Sequence, residues 1–475
     1  MTSRPHRVVI VGGGISGLAL AHRLMERRRS HSAALDVTLL EAGPRFGGVI
    51  RTERRDGLLC EAGPDAFMAE QPWMTDLCRR LGIDDHMIPT QPSFRRSFIA
   101  RRGRLLPVPE GWYLMAPMTW RAAFRMPLLS WRGKLRAACE RFIPPSTGLG
   151  DESVAGFITR RFGRETLDRI GQPMMAGIYG GDAQQLSLGA TLPTFAELER
   201  RHGSVLSGLR HRARRDATTA LESAGGPRYA LFFSFRDGMD TLIQALVSRL
   251  ADVRLQCRSS VTRIERSPGG WIAHLDDGSR CEADSLCLAL PAPRAARVLA
   301  SHAPELSQEL MTIPYEFAAT VNLAARANEI PRPLTGFGVV VPASERRRIL
   351  GCTFSSVKFS GRAPHATVLL RAFVGGALHH GVEALDDQAL EQLVRDDLRD
   401  LLGLRAVPSL VSIARHRYAM PQYVIGHLER VASIESHTRR YPGLFLTGNG
   451  YRGIGLPECV HQAEQIAERI IANGR

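Results

Sequence analysis

Three glycines near the start of the chain have the spacing of a phosphate-binding turn. Gly12, Gly14 and Gly17 follow the apolar run RVVIV and precede apolar positions at helical spacing, so the pattern predicts strand, turn and helix. The first glycine permits the tight bend, the second lets the backbone approach a pyrophosphate, and the third lets the helix pack on the strand. The candidate cofactor residues here are Gly12, Gly13, Gly14, Ile15, Ser16 and Gly17.

An acidic residue ends the second predicted strand. Residues 36–40 form another apolar run, and Glu41 follows it, twenty-four residues after Gly17. A carboxylate at this position accepts hydrogen bonds from a ribose and repels a 2′-phosphate, which disfavours NADP. On these residues alone, NAD and FAD are equal candidates.

A second glycine-rich segment favours FAD. Arg45-x-Gly47-Gly48 follows Glu41 and Ala42, and Gly63-Pro64 comes shortly after. An NAD domain has no need of a second turn, whereas a flavin, whose ring lies far from its adenine, needs close backbone approach along its whole length. The segment therefore adds Ala42, Arg45, Gly47 and Gly48 to the candidate cofactor residues.

The elements that position these residues follow from hydrophobic periodicity and turn signals. Helices are predicted at 74–81, 117–141, 151–177 (with Asp151 as the cap), 239–250, 386–402 and 456–471. Strands are predicted at 253–257, 260–266, 270–275, 281–290 and 443–447, and strands at 315–325, 337–341, 350–356 and 366–374 suggest a separate antiparallel sheet. Residues 205–228, rich in charge and small residues, are interpreted as an exposed loop or linker.

Composition indicates an ordinary globular chain. Its 475 residues are 44% apolar and 23% charged, which excludes disordered and fibrous classes. The 8 cysteines show no metal-binding spacing, so we expect buried thiols in a reducing compartment and no metal. His427 and His461 lack a paired nucleophile or metal partner and are expected to be structural.

The net charge of +15 is concentrated in one segment. Residues 91–141 carry 11 Arg or Lys against two Glu, interleaved with Trp112, Trp120 and Trp131. Aromatic rings and arginines together suit an anionic membrane surface, and no nucleic-acid motif accompanies them. No run is long and apolar enough to span a membrane, and the chain enters a strand within a few residues. We expect a cytoplasmic protein able to lie on the inner face of the cytoplasmic membrane.

Several further motifs, taken together, resemble those of one flavoprotein family. They are AGIYGGDAQQLS around Tyr179, FGVVVP at 337–342, Pro421-Gln422-Tyr423 with Gly426-His427, and the terminal GNGYRGIGLPEC. With the two glycine turns they resemble the flavin amine oxidase superfamily, and within it the oxygen-dependent, FAD-containing protoporphyrinogen oxidases. The resemblance spans nearly the whole chain.

The resemblance implies an α/β (α+β) architecture. It consists of a discontinuous Rossmann-type FAD-binding domain, a substrate domain built on a mixed or antiparallel sheet, and a helical, basic, membrane-facing domain. A homodimer is a further expectation. The implied division is 1–90, 216–305 and 411–475 for the FAD-binding domain, 91–215 for the helical domain and 306–410 for the substrate domain.

The resemblance also assigns cofactor contacts beyond the two turns. The backbone of Val261 would contact adenine, and the final helix would point its N-terminus at the flavin. Cys459 lies inside that helix, so we expect noncovalent FAD. The remaining implied contacts, along the flavin ring and ribityl chain, are Val49, Gly63, Pro64, Asp65, Ala66, Gly448, Asn449, Ile454, Gly455 and Leu456.

The implied reaction belongs to haem and porphyrin biosynthesis. Protoporphyrinogen IX would lose hydride to FAD, O2 would reoxidise the flavin to give H2O2, and no side chain would act as catalyst. The substrate would be held by Gly177 and Gly181 on one wall, by Val340 and Thr353 as a clamp, and by Phe373 through stacking. Relatives usually place an Arg where this chain has Ser97, so Arg96, one residue upstream, is the candidate propionate partner.

Three alternatives remain open at this stage. Oxidation of coproporphyrinogen III, which carries more propionates, would differ mainly in the basicity of the pocket. A flavin amine oxidase would be expected to hold a lysine near the flavin, and neither Lys134 nor Lys358 lies in a matching motif. A flavin-binding scaffold without turnover would be distinguished by the absence of substrate-dependent flavin reduction.

Overall fold

The N-terminal strand–turn–helix forms the centre of a five-stranded parallel sheet. The computed structural model describes residues 4–31, 34–94, 96–146, 148, 150–222, 232–404 and 406–473. The strands, in spatial order, are Arg254–Gln256, Leu35–Leu40, His6–Val11, Ser285–Leu288 and Leu444–Leu446. The last four residues of the strand His6–Val11 are all buried, because other elements cover both faces of the sheet. Three separate stretches of the chain therefore build one sheet.

Different elements cover the two faces of this sheet. Val8 and Ile10 point into a core formed mainly by four helices, which are Ile15–His31, Pro72–Leu81, Asp240–Ser248 and Leu456–Asn473. Val9 and Val11 point the other way, into a second core. That core is closed by the antiparallel strands Val261–Ser267, Gly270–Leu275 and Arg280–Ala283 and by the helices Ala292–Leu299, Pro304–Met311 and His427–Arg439. The alternation follows from the period of two along a strand.

A seven-stranded sheet forms the second large layer. Its order is Ser409–Pro421, Tyr315–Arg326, Thr367–Gly375, Ile349–Phe354, Gly338–Val340, Ser97–Arg101 and Arg104–Pro107. Only the pair Gly338–Val340 with Ser97–Arg101 is parallel. The predicted strands between 315 and 374 are confirmed. Residues 97–107 also pair into this sheet, although the predicted division places them in the helical domain, and that division stays a prediction.

One face of this sheet packs on the helix Asp387–Leu402 through apolar side chains such as Leu370 and Leu398. Because the adjacent residues along each strand point the other way, the opposite face carries a different set of side chains. That face is directed at the segment that follows the hairpin Thr52–Arg55 and Leu58–Glu61.

A cluster of helices forms the third part of the molecule. They are Trp120–Arg125, Trp131–Ala138, Val154–Phe162, Arg164–Thr166, Gln172–Tyr179, Leu188–Thr191, Pro193–His202 and Val205–Glu222, with a π-helical turn at Leu167–Gly171. Their core contains Phe157, Phe162 and Phe195. A fully buried ion pair joins Arg161 to Glu140. No described helix is long and apolar enough to cross a membrane.

The remaining elements are short. Two small antiparallel sheets contain Phe67–Met68, Phe232–Phe235 and Met87–Pro89 in one and Trp112–Tyr113 and Ala116–Pro117 in the other. A helical turn spans Ser355–Lys358. The 3-10 turns are Asp84–His86, Pro92–Phe94, Cys139–Phe142, Ala327–Glu329, Ala343–Glu345 and Val382–Ala384.

Asp151 does not cap a helix, so that prediction is wrong. Ser153 is the cap of Val154–Phe162, and its hydroxyl accepts a hydrogen bond from Gly156 N. Asp151 instead accepts from the Ser187 hydroxyl at 2.9 Å and from Gly426 N at 2.9 Å. Asp and Ser can both cap a helix. Ser153 is the cap here because its hydroxyl reaches the N–H of Gly156, which has no partner within the helix.

The predicted loop at 205–228 is also wrong where the structure describes it. Residues Val205–Glu222 are helical, and residues 223–231 lie outside the described residues. The buried Glu140 carboxylate accepts hydrogen bonds from Val205 N at 2.9 Å and Leu206 N at 3.2 Å, which satisfies the start of the helix. The distant Glu140 leaves no local signal, but Ser204 is a local cap whose hydroxyl accepts from Ser207 N at 3.2 Å, and this signal was overlooked.

Two long elements near the C-terminus carried no predicted assignment, and one predicted strand is divided. The strand Ser409–Pro421 and the helix His427–Arg439 were not predicted. The expected strand 281–290 is two strands, separated at Asp284. The first, Arg280–Ala283, belongs to the antiparallel layer, and the second, Ser285–Leu288, belongs to the parallel sheet.

Candidate functional site

The first glycine turn closes tightly on one side and is open on the other. A Cβ atom added at Gly12 would overlap Ala289 O, and one added at Gly17 would overlap Gly12 O. At Gly14, by contrast, an added Cβ would have nothing within 4 Å. This open space lies at the start of the helix Ile15–His31, where unpaired N–H groups and the helix dipole favour an anion. The turn therefore offers a cradle of the kind a pyrophosphate fills.

Glu41 lies beside this cradle. Its carboxylate accepts hydrogen bonds from Gly13 N and Gly43 N, both at 2.7 Å. Ser259 N, close to Val261, donates to Glu41 O at 2.9 Å. Val261 is buried at the start of its strand, so the structure places this predicted adenine contact next to the predicted ribose partner.

The second glycine turn packs directly on the first. Gly47 N donates to Gly13 O at 2.8 Å, and a Cβ added at Gly48 would lie 3.2 Å from Gly14 Cα. The Arg45 guanidinium donates to three carbonyls of its own turn, those of Phe46, Gly48 and Ile50, at 2.8 to 2.9 Å. These hydrogen bonds from Arg45 stabilise the backbone conformation of the second glycine turn.

The segment after the hairpin continues the same line. A Cβ at Gly63 would overlap Val49 O, so these two predicted flavin contacts lie side by side. Gly63 is buried, whereas Pro64, Asp65 and Ala66 are only partly so. Val49 is exposed, as a residue facing an open slot would be.

Asp65 belongs to an ion-pair cluster that was not predicted. Its carboxylate lies 2.9 Å from Lys358 Nζ and 3.7 Å from a guanidinium nitrogen of Arg371. Burial by itself would raise the pKa of Asp65, but the two cations outweigh it and lower that pKa below its usual value. The charged position at Arg371, inside an apolar strand run, is the one sequence signal that could have revealed this cluster.

Polar side chains fasten the seven-stranded sheet to this segment. Thr320 donates to Ala62 O at 2.8 Å, and the Arg371 guanidinium donates to Gly63 O. His416 Nε2 lies 2.9 Å from Ala62 O and must carry a proton to donate to it. Burial lowers the pKa of His416, which keeps the ring neutral. The sheet and the predicted flavin segment thus form one hydrogen-bonded unit.

Three predicted substrate residues share the sheet face that points at this segment. Directly paired residues of antiparallel strands lie on the same face. Thr353 pairs with Arg371, and both Val340 and Phe373 pair with Gly351. These cross-strand pairs place Val340, Thr353 and Phe373 together.

The two predicted wall glycines lie at the end of one helix. A Cβ added at Gly177 would be 3.1 Å from Val340 Cγ1, so this exposed glycine packs against the clamp residue. Gly181 is buried beyond the helix end, where an added Cβ would be 2.7 Å from Gln422 Oε1. The structure therefore brings Gly177 to the sheet face and places Gly181 behind it.

Arg96 is not buried in this slot. Its side chain is exposed, and its carbonyl accepts a hydrogen bond from Phe337 N at 2.7 Å. Ser97 pairs with Gly338 in the next strand. The structure thus places Arg96 at the edge of the substrate sheet, and its role toward a propionate stays a prediction.

The C-terminal turn is held by a tyrosine and a histidine. The Tyr423 hydroxyl donates to Asn449 O at 2.6 Å and accepts from Gly453 N at 2.9 Å. His427 stacks on the Tyr423 ring at 3.9 Å, and its Nε2 donates to Tyr451 O at 2.8 Å. Burial lowers the pKa of His427 to about 4, so the ring is neutral. The expectation of a structural His427 is confirmed.

The turn leads into the helix Leu456–Asn473, which begins among the predicted flavin contacts. Gly448 adopts φ +136°, a conformation open to glycine, and Ile454 and Gly455 directly precede the helix. Cys459 is buried under this helix start, and burial raises the pKa of its thiol to about 12. A thiol that stays protonated is a poor nucleophile, which suits noncovalent FAD.

The βαβ unit, the open space at Gly14, the Glu41 carboxylate beside it and the second turn packed on the first are the features of a dinucleotide-binding protein. The cofactor is FAD. The family described as flavin containing amine oxidoreductase matches residues 15–471, and the chain belongs to this family.

Relatives of similar length share this family. The chain is 30% identical to a coproporphyrinogen III oxidase of Bacillus subtilis (98% of this chain, 97% of the relative). It is 34% identical to a coproporphyrinogen III oxidase of Propionibacterium freudenreichii (98% and 90%). It is also 30% identical to a chloroplastic protoporphyrinogen oxidase of Oryza sativa (97% and 87%).

A solved structure is similar over the whole fold. A crystal structure from Exiguobacterium sp. 255-15, provisionally assigned as a protoporphyrinogen oxidase, superimposes with a TM-score of 0.85. The two chains are 30% identical, and the match covers 99% of each. The chain is therefore an FAD oxidoreductase whose relatives act in porphyrin biosynthesis.

Proposed function

We propose that this protein oxidises a porphyrinogen to the porphyrin, with O2 as the electron acceptor. The observation that carries the proposal is the sheet face of Val340, Thr353 and Phe373, which is hydrogen-bonded at Ala62 O and Gly63 O to the start of the predicted flavin segment 63–66. Val340 and Phe373 give this face apolar side chains that suit a large flat macrocycle, and Thr320 and Arg371 on the same face attach it to the segment. The names of the relatives supply the substrate class.

When bound, FAD would accept a hydride from the substrate, which also releases a proton, and would pass the two electrons to O2 to give H2O2. Because a porphyrinogen has six more hydrogens than the porphyrin, the full oxidation takes three such cycles and three O2. The residues of this chain bind and orient. Gly12 to Gly17 hold the pyrophosphate, Glu41 the ribose, and the turns at Gly47 and Gly448 approach the remainder by their backbones. Phe373 stacks on the macrocycle, Gly177 leaves room for it, and Arg96 pairs with a propionate. No side chain is assigned a proton-transfer role.

Protoporphyrinogen IX is the first substrate to test, and coproporphyrinogen III is the second. The two bacterial relatives with full coverage are named for coproporphyrinogen, which favours the alternative at least as strongly as the motifs favour the first. The two substrates differ in the number of propionates. Their discrimination therefore depends on the basic groups around the slot.

The test follows porphyrin fluorescence in air after adding flavin-loaded protein to each porphyrinogen. A rise well above autoxidation, with H2O2 released and the rise lost under nitrogen, is the expected result. The ratio of the two rates chooses the substrate. A rate equal to autoxidation with both would contradict the proposal, and the flavin content of the same sample shows whether cofactor was present.

We further propose that the helical part rests on an anionic membrane surface, at the inner face of the cytoplasmic membrane. Trp131 is 70% exposed, and Trp120, Leu135 and Phe142 are exposed near it, among arginines such as Arg121 and Arg132. Exposed aromatic rings with arginine favour the lipid headgroup region. A homodimer stays a prediction for size measurements in solution.

Vesicle sedimentation tests this surface. Binding to vesicles of phosphatidylglycerol and phosphatidylcholine, but not of phosphatidylcholine alone, is expected to fall with Trp131→Gln. Met311→Gln is the matched control, because Met311 is also an exposed apolar residue but lies on the helix Pro304–Met311, outside the helical cluster. Equal loss in both variants, or no binding by the unaltered protein, would refute the membrane assignment.

A further inference from the structure

Five charged side chains cluster around the predicted flavin segment. The cations are Lys358, Arg362 and Arg371, and the carboxylates are Glu61 and Asp65. Arg362, Arg371 and Glu61 are each less than 5% exposed. Lys358 and Asp65 are mostly covered as well, with side chains 12% and 18% exposed. The cluster is thus largely removed from water and contains more cations than carboxylates.

The two carboxylates do not neutralise the cations equally. Asp65 is ion-paired with both Lys358 and Arg371. Glu61 instead accepts from Met239 N and the Thr52 hydroxyl, both at 2.9 Å, and burial raises its pKa to about 7. Arg362 is bonded to Ser234 and to the carbonyls of residues 235 and 236. Around Asp65, two cations therefore share one carboxylate.

Arg371 is the centre of this positive excess. Its guanidinium donates to Gly63 O and lies 4.6 Å from the centre of the Phe373 ring. It is therefore placed between the predicted flavin segment and the predicted stacking residue. Its Nε has no hydrogen-bond partner among the described residues. A buried cation with incomplete compensation is costly, so an anionic group that approaches this site would be stabilised by it.

We propose that the Arg371–Lys358–Asp65 cluster is an anion-receiving site, which takes either the negative charge of the reduced flavin or a carboxylate of the substrate. This inference rests on the proposed function, because it assumes that residues 63–65 border the flavin. In the flavin case, Arg371 and Lys358 stabilise the reduced cofactor and raise its reduction potential. In the carboxylate case, they select substrates by their propionates.

The first arm measures the midpoint potential of the substrate-free holoenzyme by chemical reduction. Lys358→Gln and Arg371→Gln each remove a positive charge and are expected to lower the potential. Asp65→Asn removes a negative charge and is expected to raise it. Opposite shifts cannot come from a general loosening of the site. Arg347→Gln is the matched control, since Arg347 is paired with Asp397 and Asp400 at the helix on the other sheet face.

The second arm measures the dissociation constants of coproporphyrin and protoporphyrin from their fluorescence. If a carboxylate is the occupant, the dissociation constant of coproporphyrin rises several-fold in Arg371→Gln and in Lys358→Gln. The midpoint potential of the flavin then changes little. If Arg371→Gln does not fold, both the midpoint potential and the porphyrin affinity are measured on Lys358→Gln and Asp65→Asn, whose positions are less buried.

The inference is overturned if the folded, flavin-loaded variants change neither potential nor porphyrin affinity, or if Lys358→Gln and Asp65→Asn shift the potential in the same direction. Neither arm requires turnover. A protein that oxidises no porphyrinogen yet shows the opposite potential shifts would refute the proposed function and keep this inference.

Discussion

Gly177 and Val340 face each other so closely that a Cβ atom added to the glycine would lie 3.1 Å from Cγ1 of the valine. The two residues are on different elements, the helix Gln172–Tyr179 and the strand Gly338–Val340. The two residues are therefore in contact and form one wall beside the sheet face. The glycine turns that are predicted to bind FAD lie on other elements.

Filling this slot is expected to block the substrate and spare the cofactor. Gly177→Leu adds four carbons at this exposed position of the wall, and kcat/KM for the porphyrinogen should fall by roughly 10-fold or more, since misfit of even a methylene group costs about 1–3 kcal/mol. FAD content, read from flavin absorbance, should match the unaltered protein. Gly189→Ala, on the neighbouring short helix, is the control. Normal turnover in Gly177→Leu would remove this helix from the substrate wall.

A substitution at Gly14 is expected to remove the cofactor and to leave the fold intact. Gly14→Val places carbon in space that is open within 4 Å, so the apoprotein should fold and melt as before, but should not retain FAD. Gly12→Val is the contrast, because its Cβ overlaps Ala289 O and should destabilise the protein itself. Flavin absorbance and thermal unfolding are measured for both. Full flavin content in Gly14→Val would refute the cradle.

Tyr423 should act as a positioning residue for the C-terminal turn. Tyr423→Phe leaves Asn449 O and Gly453 N without their partner, and an unsatisfied buried polar group costs about 1–3 kcal/mol. FAD affinity should therefore fall by roughly 10-fold. Tyr441→Phe, in the core behind the parallel sheet, should leave it unchanged. If Tyr423 only stabilised the fold, Tyr423→Phe would lower the melting temperature of the apoprotein but would leave the FAD affinity of the folded protein unchanged.

His427 makes the protein sensitive to acid. Its pKa is about 4 in the folded protein and 6.5 when unfolded, so the unfolded state binds more protons between these values. Stability from this group is fully present above pH 6.5 and is lost as the pH falls toward 4, by at most about 3 kcal/mol.

The measurement is the free energy of unfolding between pH 7 and pH 4. His427→Gln should unfold with a smaller dependence on pH, although it is less stable at neutral pH because the hydrogen bond to Tyr451 O is altered. An unchanged slope would show that other groups cause the acid sensitivity.

The local parts of the site could be predicted from the sequence, and the distant contacts could not. The turn at Gly12 to Gly17 carries its own constraints, because glycine spacing and flanking strand and helix are all within a few residues. Asp65, by contrast, is 293 positions from Lys358, and nothing near either residue indicates the other. The same reason applies in part to the helix beginning at Val205, where Glu140, 65 positions earlier, accepts from Val205 N, while the adjacent Ser204 is a local cap.

The hydrophobic pattern also gives the wrong strand boundary where one run of residues contributes strands to two different sheets. The apolar run at 281–290 suggested a single strand, yet Asp284 accepts a hydrogen bond from Arg7 N and separates two strands of different sheets. Similarly, Arg371 lies between apolar neighbours in a strand, and only the tertiary structure shows that its face meets the flavin segment.

The order in which the sheet is assembled has a consequence for biosynthesis. Its fifth strand, Leu444–Leu446, and the helix Leu456–Asn473 that packs on Ile15–His31 come several hundred residues after the first glycine turn. The turn is therefore translated long before the core behind it can close. A nascent chain that still lacks residues 444–473 has an incomplete flavin cradle, so stable cofactor loading must follow the synthesis of these residues.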